Sequence, residues 1–118
     1  MSRVLITGVS RGIGEGLLRH YLEAGHEVDA IGRSAPGWAA AHGARFRFHA
    51  CDLADINALV EVSRAVVTPL DTLICSAGDF AWEAGRLDQF DNTAFVRAFA
   101  VNSIAPAILA RELKPRLE

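Results

Sequence analysis

Thr7-Gly8-Val9-Ser10-Arg11-Gly12-Ile13-Gly14 crowds glycines into one short segment. The segment follows an apolar run, Val4-Leu5-Ile6, and precedes a stretch with apolar residues at helical spacing. Glycine accepts positive φ, and its missing Cβ lets a phosphate oxygen reach the backbone. A helix that starts at such a turn aims its unpaired N–H groups and the positive end of its dipole at the turn's mouth. The expected chemistry is grip on a pyrophosphate, with Gly8, Ser10, Arg11, Gly12, Ile13 and Gly14 as the contact candidates. Glycines also end strands for purely structural reasons, but this spacing between a β-run and an amphipathic helix favours a nucleotide loop. No Gly-Lys-Ser/Thr follows, which excludes a Walker loop, and the spacing also differs from Gly-x-Gly-x-x-Gly.

A second candidate lies about 20 residues further on, where a strand end meets the adenosine ribose of a bound dinucleotide. An acid there bonds the 2′-hydroxyl, whereas an arginine accommodates a 2′-phosphate. The chain reads Ile31-Gly32-Arg33-Ser34, and Asp29 comes too early to serve. Arg11 and Arg33 could converge on the extra phosphate, because guanidinium–phosphate pairs are strong and bidentate. The expectation is NADP in preference to NAD; the plainer alternative is that both arginines are solvated surface residues.

These candidates need a scaffold, and short apolar runs alternate with helix-period segments along the chain. Strands are expected over residues 4–6, 28–31, 45–50 and 70–75. The first helix, over 13–24, carries a stripe of Ile13, Leu17, Leu18, Tyr21 and Leu22, and Gly25 stops it. Residues 36–42 are too short for more than a brief helix or loop. Asp55 caps a second helix that Pro69 closes off, and 92–113 is the longest helical stretch. Strands joined through helices require parallel crossovers, with helices on both faces of the sheet. The whole of 1–118 is expected to form one domain.

Composition narrows the partners. Half the residues are apolar and the formal net charge is −2, which suits a packed globule and offers no basic field for nucleic acid or anionic lipid. No apolar run in the sequence approaches the roughly 20 residues of a membrane span, and no secretory signal is recognisable at the N-terminus. A cytoplasmic protein without a nucleic-acid or membrane partner is expected. Cys51 and Cys75 lack metal-ligand spacing and read as buried free thiols. His20, His26, His42 and His49 are dispersed, so none is expected to act in catalysis and no metal site is expected. Trp38, Trp82 and the phenylalanines read as core or lid packing.

Taken together, these segments resemble the short-chain dehydrogenase/reductase family across essentially the whole chain. Thr7-Gly8-x-x-x-Gly12-x-Gly14 is similar to that family's cofactor loop. Asp52-Leu53 is similar to its acidic–apolar pair after the third strand, which implies that the acid meets the adenine amino group and the next amide its ring; the plainer alternative is that Asp52 merely caps the next helix. Cys75-Ser76-Ala77-Gly78 resembles the family's Asn-Asn-Ala-Gly segment and implies that Ser76, Ala77 and Gly78 line the cofactor. The first two positions depart from the pattern and lose the side-chain amides that brace the sheet in relatives. Val101-Asn102 resembles the mid-helix Asn of the catalytic tetrad. The resemblance implies a Rossmann-type doubly wound α/β fold, truncated to about four strands in the order 3-2-1-4.

The family's acid–base pair is a Tyr with a Lys four residues on, and a phenol of pKa about 10 needs that neighbouring cation to work near neutrality. Here the single tyrosine, Tyr21, is followed four residues later by Gly25, and the single lysine, Lys114, is preceded by Ala110. The chain stops at Glu118, where relatives continue into a fifth strand and the catalytic Ser, Tyr and Lys. The expectation is therefore the nucleotide-binding half of an NADP(H)-dependent carbonyl or alcohol oxidoreductase that does not catalyse alone. Asn102 is then a vestige or one part of a split site. The alternatives are a non-enzymatic dinucleotide-binding or interaction module, or a half-enzyme completed by another polypeptide. A small-molecule substrate is expected only if missing residues complete the site. Self-association is expected through the long C-terminal helix or the exposed edge of the fourth strand.

Overall fold

A computed structural model describes residues 1–79, 87–89 and 91–117. Trp82, expected in core or lid packing, lies outside the described residues.

Strands β1 (Arg3–Thr7), β2 (Glu27–Gly32), β3 (Phe46–Ala50) and β4 (Thr72–Cys75) form one sheet in the order β3-β2-β1-β4. Every pairing is parallel, with Leu5 opposite both Asp29 and Leu73, and Ala30 opposite Phe48. Helices α1 (Gly12–Glu23), α2 (Ile56–Ala65), α3 (Asn92–Phe99) and α4 (Ala105–Leu117) connect and cover the strands. This is the doubly wound arrangement that the alternating runs predict. Residues 37–45 form tight turns of 3₁₀ type rather than a regular helix.

Side chains alternate across each strand, which divides the core in two. Val4, Ile6, Val28 and Ala30 pack with Leu18 and Leu22 of α1 on one face. Leu5 and Ile31 pack with Leu59 of α2 and with Ile108, Leu109 and Leu113 of α4 on the other. Phe46 and Phe48 share the first face and stack on each other with centroids 6.5 Å apart. The first helix ends as Gly25 requires: at φ 89° it lets its own N–H reach the Leu22 carbonyl and that of His26 reach Tyr21. Asp55 accepts the Ala58 amide at the start of α2.

Between α3 and α4 the chain stays helical but widens into a π turn over Ala100–Ile104, where the Ala105 N–H donates to the Ala100 carbonyl. The continuous helix Asn92–Leu117 has 26 residues and is long and apolar enough to cross a membrane, contrary to the expectation from the sequence. Ala98, Val101, Ala105, Ile108, Leu109 and Leu113 on this helix are buried in the core. Phe95, Val96 and Phe99 are exposed, so of the core or lid packing expected for the phenylalanines, those of α3 do not take the core.

One charge network lies inside the sheet. Glu27 and Asp29 on β2 point to the same face as Arg3 on β1 and Arg47 and His49 on β3. Arg47 Nε and Nη2 each donate to Asp29 at 3.1 Å, and His49 Nε2 lies 2.9 Å from the same carboxylate. Arg3 pairs with Glu27 at 2.9 Å. Burial alone raises the Asp29 carboxyl, but the bonds to His49 and Arg47 outweigh it and hold the group below its ordinary value. Because the folded-state value is the lower one, the contribution of Asp29 is fully present above about pH 4 and disappears as pH falls through the folded value. Asp29→Asn takes the main partner from Arg47, which is part-exposed and also 3.5 Å from Glu27, and is expected to lower the unfolding free energy by about 2 kcal/mol at pH 7. Urea denaturation checks this: the gap from the parent chain should close only below about pH 4, and equal midpoints at pH 7 would show that the network contributes nothing.

Candidate functional site

All four strands run the same way, so their C-terminal ends open on one side of the sheet, where ligands of such folds sit. The segments that follow them enclose a cleft of about 850 Å³, within the roughly 300–1,000 Å³ usual for ligand pockets. Val9 to Gly14 follow β1, Gly32-Arg33-Ser34 follow β2, Cys51-Asp52-Leu53 follow β3 and Ser76 to Asp79 follow β4. Every site residue named from the sequence lines this cleft: Gly8, Ser10, Arg11, Gly12, Ile13, Gly14, Arg33, Asp52, Leu53, Ser76, Ala77, Gly78 and Asn102.

The turn after β1 is shaped by what its glycines lack. Gly8 and Gly12 have φ of 76° and 61°, which side chains rarely adopt. A Cβ on Gly8 would stand 2.6 Å from Ala77 Cα, and one on Gly14 would overlap the Gly8 carbonyl oxygen. The turn therefore lies flat against both the first coil of α1 and the segment after β4, where the Ala77 N–H donates to Thr7 Oγ1 at 3.3 Å. Asp55 caps α2 and Asp91 caps α3, but Arg11 in the N-cap position of α1 makes no side-chain cap. The first-turn residues of α1 line the cleft, and among the described residues no side chain caps their amides. Ile13, expected on the apolar stripe of α1, is 80 % exposed beside this mouth, because only Leu18 and Leu22 of that stripe reach the core in full.

The acid side of the cleft is organised by a residue that sequence reasoning missed. Arg97 on α3 donates from Nη1 and Nη2 to the two Asp52 oxygens, both at 2.9 Å, and its Nε lies 3.3 Å from Asp79 Oδ2. The Ala54 N–H also donates to Asp52 Oδ1. The Arg97 bond is the main reason that Asp52 sits below the ordinary carboxylate value, and burial opposes it only in part. Asp52 thus closes a short turn through Ala54 and pairs with the long helix; α2 is capped by Asp55 instead. Asn102 grips the same segment, accepting the Asp79 N–H and donating to the Asp79 carbonyl, both at 2.8 Å. The one signal for Arg97 in the sequence is a cation amid Phe95, Val96, Ala98 and Phe99.

Arg11 and Arg33 line the cleft exposed, and neither forms a hydrogen bond or ion pair among the described residues; Arg33 acts on Asp52 only through space. Cys51 is buried and its thiol is pushed up by burial, with Asp55 and Asp52 adding to the effect. Cys75 is exposed, contrary to expectation, because β4 has β1 as its one strand neighbour among the described residues. His26, His42 and His49 are engaged with Ser2, Arg45 and Asp29, and no histidine lines the cleft.

Residues 2–118 match the family model for short chain dehydrogenase. The chain belongs to this family. As a short-chain dehydrogenase it is 32 % identical over 114 residues to the uncharacterized oxidoreductase AN7799 of Emericella nidulans, covering 92 % of this chain and 44 % of that one. A short-chain dehydrogenase/reductase of Burkholderia vietnamiensis superposes with a TM-score of 0.85 at 29 % identity, covering 98 % of this chain and 59 % of that one. The alcohol dehydrogenase of the archaeon Thermococcus sibiricus, solved with 5-hydroxy-NADP, shares the fold with a TM-score of 0.84 at 23 % identity, over 99 % of this chain and 53 % of that one. A 3-oxoacyl-[acyl-carrier protein] reductase of Brucella melitensis, solved with NAD, does so with a TM-score of 0.81 at 22 % identity, over 99 % and 49 %. The chain spans less than half the length of the curated relative it matches and 59 % of the Burkholderia structure.

Two glycines on α1 separate the cradle from the helix. Gly14→Ala must push the Gly8 carbonyl aside and is expected to cost about 1–3 kcal/mol. Gly16→Ala, which meets open space, should gain about 0.5–1 kcal/mol. Paired denaturation curves check the contrast, and equal midpoints for the two variants would mean that the turn is not closely packed.

Proposed function

We propose that this short-chain dehydrogenase chain holds NADP(H) across the cleft, as the cofactor-binding part of a carbonyl or alcohol oxidoreductase. The observation that carries the reading is the first turn of α1 over the Gly8–Gly14 cradle, uncapped among the described residues, with the guanidiniums of Arg11 and Arg33 beside it and likewise unengaged among those residues. The cradle fits a diphosphate, since oxygens can occupy the space that Cβ atoms would fill and accept from the amides of Gly12, Ile13 and Gly14. Ser10 and Ser76 add hydroxyl donors at its rim. Arg11 and Arg33 pair with the 2′-phosphate, and Asp52 and Leu53 receive the adenine. Ser76, Ala77 and Gly78 carry the dinucleotide toward the nicotinamide end, and Asn102 holds the segment that follows them. Structures of this fold have been solved with both NAD and an NADP derivative, so the preference rests on the two arginines alone.

A bound nicotinamide dinucleotide supplies or accepts a hydride. No Tyr-x-x-x-Lys pair occurs in the sequence, so these 118 residues bind the cofactor without transferring a substrate proton. A second reading is a dinucleotide-binding module without chemistry. NADPH oxidation by the chain alone, with simple aldehydes and ketones, would contradict both the second reading and the need for further residues. Self-association belongs to the proposal as well. It is supported by the lone ladder partner of β4 among the described residues and by the exposure of Val96 and Phe99, and a monomer in sedimentation at high concentration would refute it.

Titration calorimetry tests the binding. NADP is expected to bind at least about tenfold more tightly than NAD, a difference of about 1.4 kcal/mol. Arg33→Ala should remove that margin while leaving NAD within about twofold. Equal affinities in the parent chain, or unchanged NADP binding in the variant, would refute the phosphate clamp.

A further inference from the structure

We propose that Arg97 is the positioning residue of the adenine end of the cleft, fixing the Asp52 carboxylate so that it presents a single acceptor position to an amino group. The inference rests on the dinucleotide reading above and goes beyond it to the source of base selectivity. Each carboxylate oxygen has two acceptor positions. Asp52 Oδ1 accepts from the Ala54 amide at 3.0 Å and from Arg97 Nη2 at 2.9 Å, and is full. Oδ2 accepts from Arg97 Nη1 alone at 2.9 Å, among the described residues, and keeps one position open on the cleft. An acceptor held in one orientation selects for a ligand N–H and against a carbonyl oxygen at the same place. Without the guanidinium, Asp52 is a part-exposed side chain tethered by one amide bond.

The same guanidinium is held from behind. Its Nε faces the Asp79 carboxylate, whose backbone is clasped on both sides by Asn102. Residues five apart stand roughly 140° from each other around a regular α-helix. The π turn at Ala100–Ile104 widens the helix between them, and Arg97 and Asn102 both reach Asp79. Arg97 is therefore braced at one end by the segment after β4 and grips the segment after β3 with the other. Its charge is spent on two carboxylates, which leaves the 2′-phosphate to Arg11 and Arg33.

The test compares NADP with nicotinamide hypoxanthine dinucleotide phosphate, in which oxygen replaces the adenine amino group, by calorimetry on the full 118-residue chain. The parent should favour NADP by about tenfold or more. Arg97→Ala should weaken NADP by about tenfold and bring the ratio between the two ligands close to one, while the NADP-to-NAD ratio stays as in the parent. Arg97→Lys, which keeps the charge but not the bidentate fork, should recover affinity in part and selectivity hardly at all. Should Arg97→Ala not fold, Arg97→Lys carries the test alone: a lysine variant that keeps the full selectivity of the parent overturns the role of the bidentate fork. A parent chain that binds NADP without preferring it to the hypoxanthine analogue, or an Arg97→Ala chain that keeps the preference, overturns the role of Arg97. A parent chain that binds neither ligand overturns the dinucleotide reading itself.

Discussion

Two stretches of backbone meet at the mouth of the sheet with no side chain between them. Gly8 leaves β1 at a positive φ and lies against Ala77, and Gly14 returns one coil later against the Gly8 carbonyl. Steric exclusion at those two positions fixes where α1 begins, and therefore where its first amides point. It also fixes the spacing between the ends of β1 and β4, which the Ala77–Thr7 bond then fastens. A larger residue at either position would lift α1 off the sheet or part the two strand ends, and the cleft would lose its floor. The cleft is thus a consequence of missing atoms, and the residues around it decide only what is bound.

Charge in the cleft follows a division of labour. Among the cations that line it, Arg97 is neutralised by Asp52 and Asp79, whereas Arg11 and Arg33 are exposed and have no partner among the described residues. Guanidiniums already paired with carboxylates add little field for an incoming anion, since their donors are engaged and their charge is offset at contact distance. The free pair lies at the ends of β1 and β2, and the neutralised one lies beside the end of β3. A ligand that carries more negative charge at one end than at the other would be oriented by that asymmetry before any specific contact formed.

Much of this was legible in the sequence because it is governed by short-range rules. The glycine loop, the Asp55 cap and the Gly25 stop are each set by a few adjacent residues, and each is found where it was expected. The strand order follows from alternating runs and the family resemblance together. What was not legible depends on register between distant segments. Cys75 looked like a core thiol because it ends an apolar run, yet β4 leaves it exposed. The apolar length of the long helix is shared between a buried face and the exposed Phe95, Val96 and Phe99, a partition that composition does not reveal. Arg97 was invisible for the same reason: its partners are 45 residues away at Asp52 and across the loop at Asp79. The irregular turn that admits Arg97 and Asn102 to one site has no sequence signal comparable to a glycine or a proline.

The carboxylate on β2 shows how the interior constrains the site. Asp29 is two residues short of the last core position of its strand, Ile31, and shares that face, so it points into the sheet layer and not toward the cleft. There it neutralises Arg47 and bonds His49, and its 2 % exposure leaves no route to a ligand. An acid that binds a ribose hydroxyl has to stand past the end of the strand, where this chain has Gly32 and Arg33. Moving the carboxylate there would take from Arg47, part-exposed and also 3.5 Å from Glu27, its two hydrogen bonds to Asp29, and would leave His49 without its partner. The demand of the sheet for Asp29 and the selection of charge at the cleft are therefore coupled through one strand. The acid is retained inside the sheet, and the cleft end of the strand carries a cation, Arg33.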